Sequence, residues 1–249
     1  MKETLNMKNK NEVAILILTH NSPIETAYFL DNIIQNTSEP YRLHIFDYQS
    51  ELSPMKDMLM KAVKDNNGYY RSITEQMSMS DIYNEMLKTV YQEYAVFVPI
   101  NYLVNVNWIV DLIYNYDSVK NAGVISILAN HKNAYLSAEV YETNFKKEDE
   151  MKTIWVNQGN MQNELLFFKK DRVQKVGDFD VRLKNVGLEK AEWSYRFLGN
   201  GYTNFSITKN TVVSYEIDNP FLFPKITAQA KKELKEQMKI MYKVKQYKK

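Results

Sequence analysis

A short polar stretch that directly follows an apolar run is the first candidate for chemistry in this sequence. Residues 13–18 are all apolar, and Thr19, His20, Asn21 and Ser22 come immediately after them. Hydroxyl, imidazole and amide side chains at the carboxyl end of a strand can hydrogen-bond a ligand together with free backbone groups. The alternative is an ordinary strand-to-helix turn in which Asn21 or Ser22 caps the next helix.

The elements that would position this stretch alternate between strands and helices. Short apolar runs rich in branched residues predict buried strands at 13–18, 43–46, 96–98 and 124–128. Helical patterns lie between them, at about 24–35, 55–63, 80–91 and 108–114. This alternation is typical of a mainly parallel sheet with helices on both faces, which binds ligands beyond the carboxyl ends of its strands.

The second half of the chain follows a different pattern. Strands are predicted at 134–140, 151–156 and 165–169 without long helices between them. A helix at about 189–198 and a short strand pair at 202–207 and 211–217 follow. The sequence therefore predicts an α/β fold whose parallel half is followed by a mixed half.

Composition limits the classes of protein to consider. The 249 residues are 45% hydrophobic and 25% charged, which fits one large globular domain. Cysteine is absent, so disulfides, thiolate catalysis and cysteine zinc sites are excluded, and a reducing compartment is expected. Residues 1–12 lack the apolar core of a signal peptide, and polar residues interrupt the longest apolar stretch, at 94–114. We therefore expect a cytoplasmic protein, and the net charge of +2 makes nucleic acid an unlikely partner.

Five segments in a fixed order carry a resemblance to a known family. They are "VAILILTHNSP" with "RLHIFDYQSE", then "IYNEML", "YAVFVPIN", "VQKVGDFDVRL" and "GLEKAEWSYRFLGNGY". In this order and spacing they resemble the family 2 glycosyltransferases of the GT-A fold, over Val13 to about Glu216. The resemblance implies an α/β fold with a mixed, mainly parallel sheet flanked by helices, and a divergent member of the family.

The resemblance also implies a donor site for a nucleoside diphosphate sugar, a UDP-sugar first of all. His20 stands in the place of an aromatic residue of the family, and Tyr83 replaces its arginine. The positions that match the family's donor site are Thr19, His20, Asn21, Asp47, Ser50, Tyr83, Asn84 and Asn101.

The residues at the family's metal motif differ from its Asp-x-Asp. Pro99, Ile100 and Asn101 stand there, and they offer one neutral amide oxygen where hard divalent cations prefer carboxylates. The late histidine of the family falls near Ser214 and Tyr215, with Glu216 as a substitute. We therefore expect no metal site of the family's kind, and Mn²⁺ or Mg²⁺ bound weakly if at all.

The catalytic base is placed by the last motif. In inverting members an Asp of a Glu-Asp pair takes the proton of the acceptor hydroxyl. In the best register Glu189 matches the Glu, Lys190 takes the place of the Asp, and Glu192 matches the later acid. A shift by one residue puts Glu189 in the base position, so Glu189 and Glu192 are the catalytic candidates. The alternatives are an exposed acid on the first helical turn for Glu189, and a solvent ion pair with Arg196 for Glu192.

The tail lies outside the resemblance. From Lys225 onward it holds nine Lys and two Glu, a local charge of +7, and an apolar stripe at helical spacing. The predicted organisation is a polar extension at 1–12, a GT-A domain at 13–219 and a basic amphipathic helix at 220–249. The helix could dock on the body or on a second subunit, lie on an anionic membrane surface, or contact nucleic acid. Docking is favoured because the stripe is apolar enough to need burial.

Two functions of different classes follow. The first is a glycosyltransferase that transfers a sugar from a nucleoside diphosphate to an unknown acceptor, without a tightly held metal. The second is a catalytically inactive GT-A module that acts as a binding or structural protein in a larger assembly. Thr19, Asn21, Asp47 and Glu189 support the first, and the lost metal and base residues support the second.

Overall fold

The computed structural model describes residues 12–51, 53–131, 140–142, 153–156, 165–183, 187–214, 217–224, 227–229 and 232. The elements of the first half are β1 (Val13–Thr19), α1 (Pro23–Asn36), β2 (Tyr41–Tyr48), α2 (Ser53–Asp65), β3 (Tyr69–Ile73), α3 (Met79–Lys88), β4 (Tyr94–Phe97), β5 (Tyr102–Leu103) and α4 (Trp108–Ser118). Those of the second half are β6 (Ala122–His131), β7 (Val140–Glu142), β8 (Thr153–Val156), β9 (Leu166–Lys169), α5 (Lys170–Val176), α6 (Glu189–Gly199) and β10 (Thr203–Ser214).

The strands form one mixed sheet in the order β3-β2-β1-β4-β9-β6-β10-β8-β7, with β5 paired to β10. β1, β2, β3 and β4 are mutually parallel, as are β6 and β10. β9 runs antiparallel to both β4 and β6, and joins the two parallel groups. The carboxyl ends of β1, β2 and β4 therefore meet at one edge of the sheet, as predicted for an α/β fold of this kind.

Helices cover both faces of this sheet. Ile15 and Ile17 of β1 face one cluster with residues of α1, α2 and α4, while Ala14 and Leu16 face a second cluster with residues of α3 and α6. All seven residues of β1 are buried, which is why its sequence reads as a continuous apolar run rather than an alternating one. The two faces together account for the large core that the composition predicts.

Several elements differ from the sequence-based prediction. β3, β5 and α5 were not predicted, because each is short and β3 is a partly exposed edge strand without an apolar run. The predicted pair at 202–207 and 211–217 is wrong: one strand, β10, pairs in parallel with β6 on both sides of a register shift between Ile207 and Val212. Most of the strand predicted at 134–140 lies outside the described residues.

The C-terminal region is described only in part. Residues 220–224 form a turn that packs on the body of the fold, not the start of a helix. Most of the predicted basic helix lies outside the described residues, so its docking and membrane roles stay predictions, as do the domain boundaries. Among the described helices, none combines the length and the apolar character needed to cross a membrane.

Candidate functional site

The carboxylate of Asp47 is the centre of a polar cluster at the ends of β1 and β2. The parallel register sets Thr19 directly opposite Asp47, and Thr19 Oγ1 donates to Asp47 Oδ1 at 3.0 Å. Ser50 Oγ donates to the same oxygen at 2.5 Å, and the Tyr70 hydroxyl donates to Oδ2 over a longer 3.4 Å. Asp47 is only 2% exposed, so these hydroxyls fix the direction of the carboxylate.

The turns that follow the two strands are tied to each other through Asn21. Its backbone N–H donates to Ser50 Oγ at 3.0 Å, and its side-chain oxygen accepts from the backbone N–H of Glu51 at 2.9 Å. Asn21 adopts a positive φ of 41°, a left-handed conformation that asparagine tolerates better than most residues. The turns after β1 and β2 are thus joined by two hydrogen bonds, and the ligand site predicted at this strand end stays a prediction.

The helix-cap alternative for this stretch is not what the structure shows. Ser22 takes the N-cap position of α1, but its side chain makes no capping hydrogen bond and accepts from Asn219 instead. Its backbone carbonyl does accept the first hydrogen bond of the helix, from the N–H of Thr26 at 2.9 Å.

Aromatic rings stand beside the Asp47 cluster. His20 Nδ1 lies 2.7 Å from the carbonyl oxygen of Tyr48 and donates to it, which orients the imidazole. Tyr48 stacks on Phe221 with ring centroids 4.5 Å apart and planes 3° from parallel, and His20 lies 4.7 Å from the same Phe221 ring. Phe221 therefore fills a slot for a planar ring at the ends of β1 and β2. Tyr48 follows Asp47 in β2, so its ring lies on the opposite face of the sheet from the carboxylate.

Glu189 begins α6 and is buried, not exposed on the first helical turn. Its side chain is 4% exposed, and Oε2 accepts from the backbone N–H of Gly187 at 2.7 Å. Burial raises the pKa of Glu189 above its ordinary value, although backbone N–H groups and the charge of Lys190 act in the opposite direction. A carboxylate in this state is a better proton acceptor than a solvated one.

Lys190 lies next to Glu189 and is also buried. Its ammonium group lies 5.4 Å from the ring centroid of Tyr83 and 5.8 Å from that of Phe97, both within range of a cation–π contact. The pKa of Tyr83 is raised, first by burial and then by the negative charge of Glu189. Three ionisable groups from α3 and α6 are thus gathered around one site.

A small cavity of about 40 Å³ lies at the carboxyl ends of β1 and β4, and neither Glu189 nor Asp47 is among the residues that line it. Its walls include Leu18 of β1, Pro99 and Ile100 after β4, and Tyr83 and Lys190. Leu222 and Phe223, which follow the Phe221 ring, form the rest of its lining together with residues of the core. A cavity of this size holds a few water molecules at most.

Two of the predicted site residues hold other parts of the fold. Asn84 uses its side-chain nitrogen and oxygen to pair with the backbone carbonyl and N–H of Phe179, at 2.9 and 2.7 Å. Glu192 is fully buried and forms an ion pair with Arg196, in which Arg196 Nη2 donates to Glu192 Oε2 at 3.1 Å and Nε lies 2.8 Å from Oε1. The pair was predicted for solvent, but its acid is buried and Arg196 is only partly exposed.

The residues at the metal motif do not fit a divalent cation. Pro99 and Ile100 supply apolar walls to the cavity, and Asn101 follows them in the turn before β5. Among the described residues, no three His, Asp or Glu side chains are grouped closely enough to hold a metal ion. Ser214, near the expected place of the late histidine, ends β10, while Tyr215 and the substitute Glu216 lie outside the described residues.

Several residues of this region were missed from the sequence. Tyr48 and Tyr70 belong to β2 and β3, and an aromatic residue inside a strand gives no signal that separates a ligand wall from core. Asn219 and Phe221 lie at the predicted boundary between the GT-A domain and the basic helix, and neither was named as a site residue. Pro220 and Pro224 enclose "FLF" and restrict its backbone, and they are the sequence signal that marks this segment as distinct from a helix.

Comparison with solved structures identifies the fold as that of the GT-A glycosyltransferases. A mannosyltransferase from Pyrobaculum calidifontis in complex with GDP-Man and Mn²⁺ matches with a TM-score of 0.64 and 14% identity, over 85% of this chain and 59% of that one. GalNAc-T7 with UDP, GalNAc and Mn²⁺ matches with a TM-score of 0.68 and 14% identity, over 85% of this chain and 45% of that one. S. aureus TarS 1–349 in complex with UDP-GlcNAc matches with a TM-score of 0.68 and 13% identity, over 92% of this chain and 65% of that one.

These likenesses establish the fold alone. The chain spans between 45% and 65% of the length of these three structures. No protein-family model matches the sequence. No curated protein matches it either.

Proposed function

We propose that this protein is a glycosyltransferase that binds a nucleoside diphosphate sugar, with a UDP-sugar as first choice, and transfers the sugar to an acceptor. The observation that carries the proposal is the Asp47 cluster at the carboxyl ends of β1 and β2, in a fold shared with nucleotide-sugar transferases. In parallel sheets this edge is where nucleotides bind.

Asp47 has acceptor capacity left for a nucleotide. Oδ1 already accepts from Thr19 and Ser50, whereas among the described residues Oδ2 receives only the long hydrogen bond from Tyr70. An ionised carboxylate offers about four acceptor positions. Oδ2 can therefore accept from a ribose hydroxyl, and the ring of the base can stack on Tyr48 and His20.

Glu189 is the proposed general base of an inverting transfer. Its carboxylate would take the proton of the acceptor hydroxyl while that oxygen bonds to the anomeric carbon of the sugar. The bond from this carbon to the diphosphate oxygen would break, and the leaving diphosphate would keep the electron pair. The raised pKa of Glu189 favours its role as proton acceptor. Glu192 is assigned a supporting role, since it holds Arg196 within the same helix.

The charge that develops on the diphosphate needs a counter-charge. Lys190 is the buried cation on the wall of the strand-end cavity, and Tyr83 beside it carries a hydroxyl in the same region. A cation held in a site shielded from water stabilises a developing negative charge more strongly than one in water. We therefore propose that Lys190 takes over the electrostatic task that a metal performs in other GT-A enzymes.

The test is a thermal shift and calorimetry screen of UDP, GDP and CDP and of their sugars, with Mn²⁺ and with EDTA. We expect UDP or a UDP-sugar to raise the melting temperature in both conditions, because a ligand that binds only the folded state stabilises it. Released UDP is then measured with the sugar that binds. Absence of binding by every nucleoside diphosphate would overturn the proposal, and binding without turnover for any sugar or acceptor would favour a non-catalytic module.

A further inference from the structure

The segment from Ile217 to Phe223 lies across the strand ends and is held there by one buried side chain. Asn219 Nδ2 donates to the carbonyl oxygen of His20 at 2.7 Å and to Ser22 Oγ at 2.9 Å. Its Oδ1 accepts from the backbone N–H of Leu222 at 3.1 Å, so the same amide also shapes the turn. Asn219 is 7% exposed. It therefore works as a clamp between this segment and the turn after β1.

The clamp places Phe221 in the aromatic slot. The Phe221 ring is parallel to that of Tyr48 at 4.5 Å and inclined to that of His20 at 4.7 Å. This separation is that of one stacked pair, and a third ring between Tyr48 and Phe221 would need roughly twice the distance. Phe221 is therefore not the far wall of a sandwich that waits for a base, because it occupies the stacking position itself.

The next two residues occupy space at the cavity. Leu222 and Phe223 line the cavity of about 40 Å³ together with Tyr83 and Lys190. Pockets that enclose ligands of this class measure roughly 300 to 1,000 Å³. A nucleoside diphosphate sugar cannot enter the strand-end site while this segment stays in place.

We infer that residues 217–223 form a strap that occupies the donor site of this chain, with Phe221 in the position that the nucleotide base takes when it binds. The inference rests on the proposed function. Binding exchanges one ring for another on Tyr48, and the ribose and diphosphate of the nucleotide add polar contacts at the strand ends that phenylalanine cannot make. The apolar side chains of the strap pack on the surface of the two core clusters and are only partly buried, so its release exposes no fully buried apolar residue.

The strap has a quantitative consequence. The apparent dissociation constant of a nucleotide is the intrinsic constant divided by the fraction of molecules with an open site. A strap that is closed nine-tenths of the time therefore weakens UDP binding about tenfold. Removal of the ring or of the clamp should recover that factor.

The experiment measures UDP binding by calorimetry for the full chain and three variants. Phe221→Ala removes the ring, Asn219→Ala releases the clamp but keeps the ring, and Asp218→Asn is the matched control, since Asp218 is exposed in the same segment. We expect both strap variants to bind UDP at least tenfold more tightly than the native chain, and the control to stay within about twofold. Circular dichroism confirms that each variant is folded.

Hydrogen exchange on the native chain gives an independent readout. The backbone N–H groups of Leu222 and Phe223 are both bonded to Asn219 in the closed strap, and we expect their exchange to speed up when UDP is added. Equal UDP affinity in native and variant chains, with unchanged exchange, would overturn the strap and leave the proposed function intact. Weaker binding by Phe221→Ala would also overturn it, because Phe221 would then be part of the nucleotide site. If no variant binds any nucleotide, the proposed function and the strap fail together.

Discussion

Thr19 and Asp47 face each other across two parallel strands and are joined by a hydrogen bond of 3.0 Å. Both are almost inaccessible to water, with 0% and 2% of their surface exposed. A carboxylate held in this way needs no reorganisation when a ligand arrives. This pre-organisation distinguishes it from a surface acid and makes it the first residue to test.

Replacement of Asp47 should separate binding from folding. Asp47→Asn keeps an acceptor oxygen for Thr19 and Ser50 but loses the charge and the second acceptor, so we expect UDP affinity to fall at least tenfold with little loss of stability. Asp47→Ala should lose the same affinity and also about 1–3 kcal/mol of stability, because the buried Thr19 hydroxyl loses its partner. Calorimetry and urea unfolding measure the two effects. Native-like affinity in Asp47→Asn would remove Asp47 from the donor site.

Replacement of Glu189 should abolish turnover without lowering the free energy of unfolding. Glu189→Gln keeps an oxygen to accept from the Gly187 N–H but cannot take a proton, so we expect turnover to fall about a hundred- to ten-thousand-fold with unchanged UDP affinity. Since burial raises the pKa of Glu189, the fold disfavours its ionised form, and the neutral amide should be at least as stable at pH 7.

The contrast for this variant is Glu192→Gln, three residues further along α6. Glu192 is buried and paired with the partly buried Arg196, so its replacement removes the counter-charge of a partly shielded cation, and we expect a loss of about 1–3 kcal/mol of stability. Denaturant unfolding of both variants checks this difference. A marked destabilisation by Glu189→Gln would mean that Glu189 is a structural acid.

The acid limb of the pH profile provides a further check on Glu189. A general base must be ionised, so kcat/KM should rise with pH as Glu189 deprotonates. Because burial raises its pKa, this rise should be centred above the ordinary value of about 4.5. The measurement is initial rate against pH at low donor concentration. A rate that stays constant down to pH 4.5 would contradict the assignment.

The strand ends could be predicted from the sequence because the residues of β1 alone are enough to identify it as a buried strand. It is buried on both faces, so its seven residues read as one apolar run and the first polar residues mark its end. Asp47 follows from the same reasoning on β2, and the parallel pairing predicts that it lies near Thr19. β3 gave no such signal, since Tyr69 at its start is exposed and the strand lies at the sheet edge.

Contacts between distant segments could not be predicted in this way. Asn219 and His20 are 199 residues apart, and no spacing rule connects them. The pairing of Glu192 with Arg196 was predicted from the helical repeat, but not its burial, which depends on how other segments cover α6. Physical reasoning from one sequence therefore finds residues that share a strand end, and misses the segment that later covers them.

Metal removal should leave nucleotide binding unchanged. Pro99 and Ile100 supply no oxygen ligands from their side chains at the metal motif, so we expect UDP affinity in EDTA to stay within about threefold of that in Mn²⁺. Mn²⁺ alone should bind no better than millimolar. Asn101→Asp restores one carboxylate there, with Asn105→Asp as an exposed control, and only the first should strengthen Mn²⁺ binding in the presence of UDP. A tight Mn²⁺ site in the native chain would show that the motif was misplaced.

His44 gives the fold a sensitivity to acid that is independent of the site. Its Nδ1 lies 2.8 Å from the Thr89 hydroxyl, which itself donates to the carbonyl oxygen of Met86, so the imidazole donates from Nδ1. Nε2 is buried and has no hydrogen-bond partner among the described residues. A second proton would have to sit on this nitrogen. Burial, reinforced by the positive charge of Arg42, lowers the pKa of His44 to about 4.

Stability should therefore fall as the pH drops from about 6.5 to about 4. Within this window the unfolded chain binds a proton at His44 that the folded chain does not, so acid favours unfolding, by about 3 kcal/mol in total. Carboxyl groups titrate in part of the same range, so the contribution of His44 is isolated by comparison with His44→Leu, in which every other group remains. Urea unfolding at pH 7.5, 6.5, 5.5 and 4.5 should show a steeper loss for the native chain. Parallel curves for the two proteins would mean that His44 is protonated in the folded state without a penalty.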